Sequence, residues 1–230
     1  MKEGTLAEQL REFLTYANAT FLLSGMATTL VLSVSGCVIG FFAGFGLAAV
    51  RKAGGRVPWI VRALVAVIVE AFRRVPFLVT LLIVFFAFQF AGGNVSVLVV
   101  GIVSVSLIAT GYLSEIIRAG LDGVHPNQWD SAIVANFTYL QTLRYVIVPQ
   151  AWRVILPPAF GFFLMFIKDS ALASQIGVVE LTYVGKVLNN KGYTPALAFG
   201  SILVLYFVLS YPLALLGRYL EFRLAQAKHR

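Results

Sequence analysis

The chain has 230 residues, of which 59% are hydrophobic and 12% are charged, and its formal net charge is +8. A soluble domain carries about twice that charged fraction, and three long runs contain no charged residue: Phe13–Val50, Val75–Ser114 and Gly192–Gly217. Because about 20 apolar residues cross a bilayer as a helix, these runs exclude an ordinary soluble protein. With no soluble basic domain in view, the charge also excludes nucleic-acid binding.

The N-terminal segment, residues 1–19, is polar and amphipathic. Leu6 and Leu10 are four residues apart, with charged residues between and around them. This spacing predicts a short helix that lies on the membrane surface. The acidic residues after Lys2 do not fit a cleavable signal peptide.

The first span is predicted over about residues 20–50. Gly36, Gly40 and Gly44 recur at every fourth position, which lines one helix face with glycine and allows a neighbouring backbone to come close. Cys37 lies within this span as a small packing residue, and as the single cysteine it excludes an internal disulfide.

A basic turn at Arg51–Arg56 follows, and then an apolar segment, Pro58–Phe72, that is broken by charges. The residue before a proline avoids the α-helical region, so a break is predicted at Val75. Two further spans, Phe77–Phe90 and Val95–Ser114, are joined by a short uncharged turn.

A polar segment then interrupts the apolar runs up to Gln150. Pro126 favours a helix start, and Asp130 is expected in the first turn, where a carboxylate stabilises the positive end of the helix. Trp129, Ile133 and Phe137 are spaced by four and predict an apolar stripe that exposes the tryptophan.

The same segment is predicted to turn and continue as a second helix. Asn136 tolerates the left-handed conformation of a helix stop, and the helix restarts at Gln141 and runs to Pro149. An exposed aromatic side chain is a good anchor for a protein partner, so we predict a helix–turn–helix that docks a soluble protein. The alternative is an interfacial helix with Trp129 among the lipid headgroups.

The remaining apolar residues predict two more spans. The fourth begins over Ile155–Ile167, is opened by Pro157 and Pro158 in its first turn, and is interrupted at Lys168. The fifth covers Pro195–Gly217. Five spans place the termini on opposite sides, and the positive-inside rule places the N-terminus outside and the C-terminus in the cytoplasm. The outer segments then hold only four basic residues: Lys2, Arg11, Lys186 and Lys191.

Residue spacing in the polar segment resembles the EAA loop of bacterial ABC importer permeases. That pattern reads Glu-Ala-Ala, three residues, Gly, nine residues and Ile-x-Leu-Pro. All its spacings fit this chain, although several letters differ, and the matching positions are Asp130, Ser131, Ala132, Asn136 and Val146 to Pro149.

Further stretches resemble the polar amino-acid branch, the histidine/glutamine/arginine/glutamate permeases. They are residues 114–120 (SEIIRAG), 143–151 (LRYVIVPQA), 156–158 (LPP), 168–172 (KDSAL) and 72–76 (FRRVP, where the family usually has Phe-Arg-Gly-Thr-Pro). The resemblance covers about residues 20–220. It implies an all-α membrane protein with the five transmembrane helices of the type I permease (MetI-like) fold.

The resemblance also implies partners and a role. A permease domain at 20–220 pairs with a second, identical or homologous permease, and its EAA loop at about 123–149 docks on a cytoplasmic ABC ATPase dimer. An extracytoplasmic binding protein delivers a polar amino acid, and residues 221–230 form a cytoplasmic tail. The expected location is the bacterial cytoplasmic (inner) membrane, with membrane lipid around a multi-pass chain.

These 230 residues contain no phosphate-binding Gly-x-x-x-x-Gly-Lys-Ser/Thr sequence. We therefore expect that the chain is not an enzyme and binds no cofactor, and that ATP and Mg belong to the partner ATPase. The candidate coupling residues are those of the EAA pattern together with the tryptophan: Trp129, Asp130, Ser131, Ala132, Asn136 and Pro149.

Ionisable residues within a span are expensive and are functional candidates by default. Asp169 suits a substrate ammonium, Ser170 suits a carboxylate, and Lys168 pairs with Asp169 or with a neighbouring helix. Gln175 is a candidate for tuning substrate choice. A structural ion pair at a broken helix is the alternative.

Glu115 and Arg118 are three residues apart and neighbour each other on a helix. They are predicted to form a gate at the cytoplasmic mouth or a local structural pair, and Glu70 and Arg73 follow the same pattern. The two histidines, His125 and His229, lack the spacing of a metal site. A secondary transporter or channel without an ATPase, and an intramembrane enzyme, are the rival functions.

Overall fold

A computed structural model of the chain describes residues 6–226, with side chains described for residues 10–224. Throughout this range the regular elements are helical and no strand occurs. The α-helices are α1 Leu6–Phe13, α2 Tyr16–Lys52, α3 Trp59–Arg74, α4 Phe77–Phe90, α5 Val97–Asp122, α6 Pro126–Val134, α7 Tyr139–Gln141, α8 Val148–Asp169, α9 Leu181–Asn190 and α10 Pro195–Gln226. Two 3₁₀ turns, Gly54–Arg56 and Ser170–Ile176, and a π-helical turn, Thr142–Ile147, complete the chain.

The predicted five spans are confirmed when a broken pair of helices is counted as one span. Within the described residues, four segments are long and apolar enough to cross a membrane: Tyr16–Lys52, Val97–Asp122, Tyr139–Ile176 and Pro195–Leu224. Helices α3 and α4 pass the same test together as a broken span. The predicted break is also confirmed, since Val75 is extended (φ −82°, ψ 131°) immediately before Pro76.

The start of the fourth span differs from the prediction. Pro157 and Pro158 lie inside α8 rather than in its first turn, and the helix restart continues past Pro149 instead of ending there. A π-helical turn precedes Pro149, and in it the Val148 N–H donates to the Leu143 carbonyl, one residue further back than in an α-helix. Proline has no N–H to donate to the preceding turn. The change to π-helical hydrogen bonding directly before Pro149 allows the helix to continue through this residue.

The described residues form two compact units, and the first comprises residues 6–36, 77–105 and 164–214. Its apolar core joins α2, α9 and α10 through Leu22, Leu181 and Ile202, among others. The predicted close approach at Gly36 is confirmed, because a Cβ placed there would lie 2.4 Å from the Val105 side chain of α5. Such contact leaves no room for a larger residue on this face of α2.

Helix α1 confirms the predicted amphipathic helix and is also attached to this first unit. Phe13 is buried and meets the Tyr193 ring edge-on at 5.2 Å. The Asn18 amide donates to the Tyr193 hydroxyl at 3.1 Å. Lys2 and Glu3, which belong to the predicted surface segment, lie outside the described residues, as do the final four residues of the predicted tail.

The second unit comprises residues 37–76, 106–163 and 215–226. Here the glycine face of α2 packs against α5. A Cβ at Gly40 would lie 2.4 Å from Ala109 Cβ, and one at Gly44 would lie 2.8 Å from the backbone nitrogen of Ser114. The predicted tight crossing is therefore a contact between two helices of this chain.

Candidate functional site

The EAA-like loop, residues 123–149, begins its first helix at the predicted proline. His125 caps α6, and its Nδ1 accepts a hydrogen bond from the Asn127 N–H at 3.2 Å. Pro126 is the first helical residue, so the first turn ends before Asp130. The prediction of Asp130 in the first turn is wrong by one residue, and its exposed carboxylate lies beyond the positive end of the helix.

Asn136 ends the first helix in the predicted left-handed conformation, with φ 56°. The second helix starts at Tyr139, two residues before the predicted restart. Thr138 and Gln141 form a capping box: the Thr138 hydroxyl accepts from the Gln141 N–H, and the Gln141 side chain accepts from the Thr138 N–H at 2.8 Å. Gln141 therefore caps this helix instead of opening it.

Trp129 is half-buried, which corrects the prediction that it is exposed for a partner. Its ring stacks on Tyr139 with the centroids 6.4 Å apart, and the Lys52 ammonium lies 5.4 Å from its centroid. The exposed side chains of the loop include polar ones, such as Asp130 and Ser131, and an aliphatic pair: Ile133 is 54% exposed and Val134 is 84% exposed. Trp129 thus holds the loop together, and Ile133 and Val134 form its outward apolar surface.

The loop is fastened to the end of α2 through Tyr139. The Tyr139 hydroxyl donates to the Ala49 carbonyl at 2.7 Å, and the Arg56 guanidinium lies 5.4 Å from the ring centroid. Together with the Lys52 contact to Trp129, these interactions connect both helices of the loop to one helix end.

Glu115 and Arg118 form the predicted pair, with 2.5 Å between Arg118 Nη2 and Glu115 Oε1. The structure adds three partners that sequence spacing did not indicate. Glu115 also accepts from Arg51 at 2.9 Å, Arg118 also pairs with Asp122 at 2.5 Å, and Asp122 pairs with Lys52. These five side chains join the ends of α2 and α5, and we call them the charged ring.

The second predicted pair is also present. Glu70 accepts from Arg73 at 2.9 Å and from Arg74 at 3.1 Å, all three lying in the last turns of α3. The Tyr112 hydroxyl donates to the Arg73 carbonyl at 3.2 Å and so connects this helix end to α5.

The substrate-pathway candidates lie around the end of α8, where the predicted interruption is confirmed. Asp169 is half-buried, and Lys168 and Gln175 are exposed. Ser170 is buried and donates to the Ile167 carbonyl at 2.7 Å. Across the described residues, Lys168 and Asp169 form no ion pair with each other, so the predicted structural pair is absent there.

Glu180 is a buried carboxyl that the sequence reasoning missed. It is 0% exposed, caps α9 through the N–H groups of Thr182 and Tyr183, and accepts from the Tyr206 hydroxyl at 2.9 Å. Burial raises the pKa of Glu180, against the opposing effect of these donors and of the nearby Lys186. A glutamate directly before a helical pattern was the available signal, because a carboxylate is stabilised at the positive end of a helix.

The described side chains include no group of three or more histidine, cysteine, aspartate or glutamate residues able to hold a metal ion. His125 acts as a helix cap, whereas His229 lies outside the described residues. Cys37 is a buried free thiol.

Up to five apolar spans in the described residues, with a structured polar loop between them, define a multi-pass membrane protein. The chain belongs to the family described as "Binding-protein-dependent transport system inner membrane component", whose model matches residues 36–226. The predicted family is therefore confirmed, and the chain is a multi-pass inner membrane component of a transport system.

Two relatives and two solved structures indicate its position in the family. The chain is 32% identical to the probable glutamine ABC transporter permease protein GlnP of Bacillus subtilis, over 88% of this chain and 93% of the relative. It is 29% identical to the glutamine transport system permease protein GlnP of Escherichia coli, over 88% of this chain and 92% of that relative.

Among solved structures, an amino acid ABC transporter with histidines matches with a TM-score of 0.81 and 26% identity, over 96% of this chain and 100% of that chain. The MetNI methionine ABC transporter in an inward-facing conformation shares the fold. It matches with a TM-score of 0.78 and 20% sequence identity, over 92% of this chain and 99% of that chain.

Proposed function

We propose that this chain is the permease subunit of an ATP-driven importer that moves a polar amino acid across the bacterial cytoplasmic membrane by alternating access. The relatives carry glutamine and amino-acid permease names over nearly the whole chain. The observation that carries the proposal is the EAA-like loop, whose two helices are both fastened to α2 and which exposes the aliphatic pair Ile133 and Val134.

A separate cytoplasmic ABC ATPase dimer docks on this loop. Ile133 and Val134 contact the ATPase, and Asp130, Ser131 and Asn136 set the loop geometry around them. ATP and Mg bind to the ATPase, and this chain contributes no catalytic residue. Movement of the loop reaches the membrane directly, since the loop helix that begins at Tyr139 continues through the π-helical turn into α8, a membrane-spanning helix.

The transporter contains a second permease and an extracytoplasmic amino-acid-binding protein. The N-terminus lies outside and the C-terminus in the cytoplasm, in keeping with the excess of basic residues on the side of the loop. The charged ring acts beside the loop as a gate or as a brace between α2 and α5.

Asp169 binds the ammonium group of the amino acid, and Lys168 attracts its carboxylate. The half-buried position of Asp169, without an ion pair to Lys168 in the described structure, supports this role because a paired carboxylate would be occupied. Ser170 is engaged with the Ile167 carbonyl and offers its oxygen as an acceptor. The exposed Gln175 tunes selectivity.

Co-purification with the ATPase subunit tests docking. Ile133→Asp and Val134→Asp should each abolish co-elution, because a carboxylate would replace an aliphatic contact. Asn94→Asp adds the same charge in the turn between α4 and α5 and should leave co-elution intact. Co-elution that survives both loop variants contradicts docking through this surface.

Uptake into proteoliposomes tests the energy source. Glutamine, arginine and histidine should each be offered with the binding protein, and uptake of at least one should require both ATP and the ATPase. Full uptake without the ATPase would instead establish a secondary transporter or channel.

A further inference from the structure

An apolar groove of about 800 Å³ opens beside the end of α2 in the second unit. Phe45 and Gly46 of α2 form one side of it, and Leu143 of the π-helical turn forms another. Two charged residues line it, Arg56 and Arg144, and both are exposed. No acidic residue is among the lining residues.

The groove lies where the apolar part of α2 ends. Phe13–Val50 contains no charged residue, and Arg51 is the first charge after it. Phe45 and Gly46 belong to the last two turns of that uncharged run, whereas Arg56 lies six residues beyond its end, after Arg51 and Lys52. We therefore expect the apolar floor of the groove to meet lipid acyl chains and the arginines to meet the headgroups, because basic residues gather at the end of a membrane span.

The two arginines differ from the basic residues of the charged ring. In the described part of the chain, neither Arg56 nor Arg144 has a carboxylate within ion-pair distance, while Arg51 and Lys52 each have one and Arg118 has two. Each guanidinium instead lies near an aromatic ring, Arg56 5.4 Å from Tyr139 and Arg144 5.6 Å from Tyr145. Their hydrogen-bond donors are thus available to an anion.

We propose that this groove is a binding site for one anionic phospholipid, with an acyl chain against Phe45 and Leu143 and the phosphate held by Arg56 and Arg144. A guanidinium matches the geometry of phosphate oxygens and binds them through two parallel hydrogen bonds. Basic pockets at the headgroup level select anionic lipids in this way. A protein occupant would have to bury two guanidinium groups that lack carboxylates, which is costly without acidic partners.

The site has a consequence for the EAA-like loop. Tyr139 lines the groove and also fastens the loop to Ala49. A bound lipid covers the apolar side of this attachment. Its phosphate supplies the anionic partner that Arg56 and Arg144 lack within the described part of the chain. Occupancy therefore stabilises the loop where it meets α2, whichever substrate the transporter carries.

Native mass spectrometry of the intact transporter complex in mild detergent tests the site. Palmitoyl-oleoyl phosphatidylglycerol and palmitoyl-oleoyl phosphatidylcholine serve as probes. The complex should retain phosphatidylglycerol with at least about tenfold higher affinity than phosphatidylcholine, and the double variant Arg56→Gln, Arg144→Gln should lose that preference. Arg74→Gln removes an exposed arginine that pairs with Glu70, and it should keep the preference.

A second variant fills the groove without changing charge. A Cβ added at Gly46 meets nothing within 4 Å, so Gly46→Leu fits the fold while occupying the groove, and it should lower phosphatidylglycerol retention. Gly161 of α8 is equally open and does not line the groove, so Gly161→Leu is the matched control and should retain the lipid.

Three results would overturn the site. Equal retention of both lipids by the wild type removes the selectivity. Loss of the preference in Arg74→Gln as large as in the double variant shows general surface charge. Unchanged retention in Gly46→Leu, with or without a change in the number of permease subunits in the complex, shows that the groove does not hold the lipid.

Discussion

The Tyr139 hydroxyl donates to the Ala49 carbonyl at 2.7 Å, across 90 residues of sequence. This bond joins the second helix of the EAA-like loop to the end of α2. The same phenol ring stacks on Trp129 of the first loop helix. Tyr139 therefore contacts both the end of α2 and the first loop helix, and it adds to the Lys52 contact that also holds the loop to α2.

Tyr139→Phe should weaken the loop attachment while keeping the stacking on Trp129. Loss of one hydrogen bond costs about 0.5–1.5 kcal/mol, and we expect a modest fall in the thermal stability of the complex and in ATP-driven uptake. Tyr139→Ala also removes the stacking and should reduce uptake further. Tyr145→Phe, at an exposed tyrosine of the next helical turn, should match the wild type. Equal uptake by all variants would show that the attachment does not matter for coupling.

Gly44 and Gly46 of α2 should respond oppositely to alanine. A Cβ at Gly44 lies 2.8 Å from the Ser114 backbone nitrogen, which cannot move without α5. Overpacking of this kind costs about 1–3 kcal/mol, so Gly44→Ala should lower the melting temperature measured in detergent. Gly46→Ala meets open space and gains helix propensity, so it should be neutral or stabilising. A tolerated Gly44→Ala would contradict the tight crossing of α2 and α5.

Glu180 should make stability depend on pH. Burial raises its pKa above the ordinary value of 4.5, so the folded chain binds the proton more tightly than the unfolded chain. The contribution of Glu180 to the free energy of unfolding is therefore fully favourable below pH 4.5 and declines as the pH rises toward the folded pKa. Melting temperatures measured from pH 4.5 upward should fall less steeply in Glu180→Gln than in the wild type. Glu70→Gln, at a half-exposed carboxylate, should retain the wild-type slope, and identical slopes in all three would refute this origin.

Asp169→Asn should impair uptake rather than assembly. If the carboxylate binds the substrate ammonium, its loss removes a charged hydrogen bond and should reduce uptake at low substrate concentration by about 10- to 100-fold. Co-elution with the ATPase and basal ATP hydrolysis should stay at wild-type levels, because Asp169 lies outside the EAA-like loop. A parallel loss of co-elution would indicate that Asp169 supports the fold instead.

Local signals predicted much of the helical plan. Pro76 fixed the break at Val75, Pro126 fixed the start of α6, and Asn136 ended it in the left-handed conformation. Each of these features depends on the backbone preference of one or two residues, and the identity of those residues is enough to predict it. The letter spacing of the EAA pattern was local in the same sense, and the family that it indicated was confirmed by the family match.

Features that depend on contacts with other helices were predicted less accurately from the sequence. Pro157 and Pro158 suggested a helix start, but they lie inside α8, whose surroundings tolerate them as membrane helices do. Trp129 looked exposed on its helix, yet Tyr139 and Lys52 cover it. A periodic pattern indicates that a face is apolar, but not which element packs on it.

The sequence by itself determined a five-span helical membrane protein with a polar helical loop, because charge-free runs and turn residues act within one segment. Tertiary structure alone decided the Arg51–Glu115 and Lys52–Asp122 links of the charged ring, the contact of buried Glu180 with Tyr206, and the attachment of Tyr139 to Ala49. Each of these joins residues that are between 26 and 90 positions apart in the sequence. Their partners are chosen by how the helices pack, and helix packing is a property of the folded chain that no single stretch of letters contains.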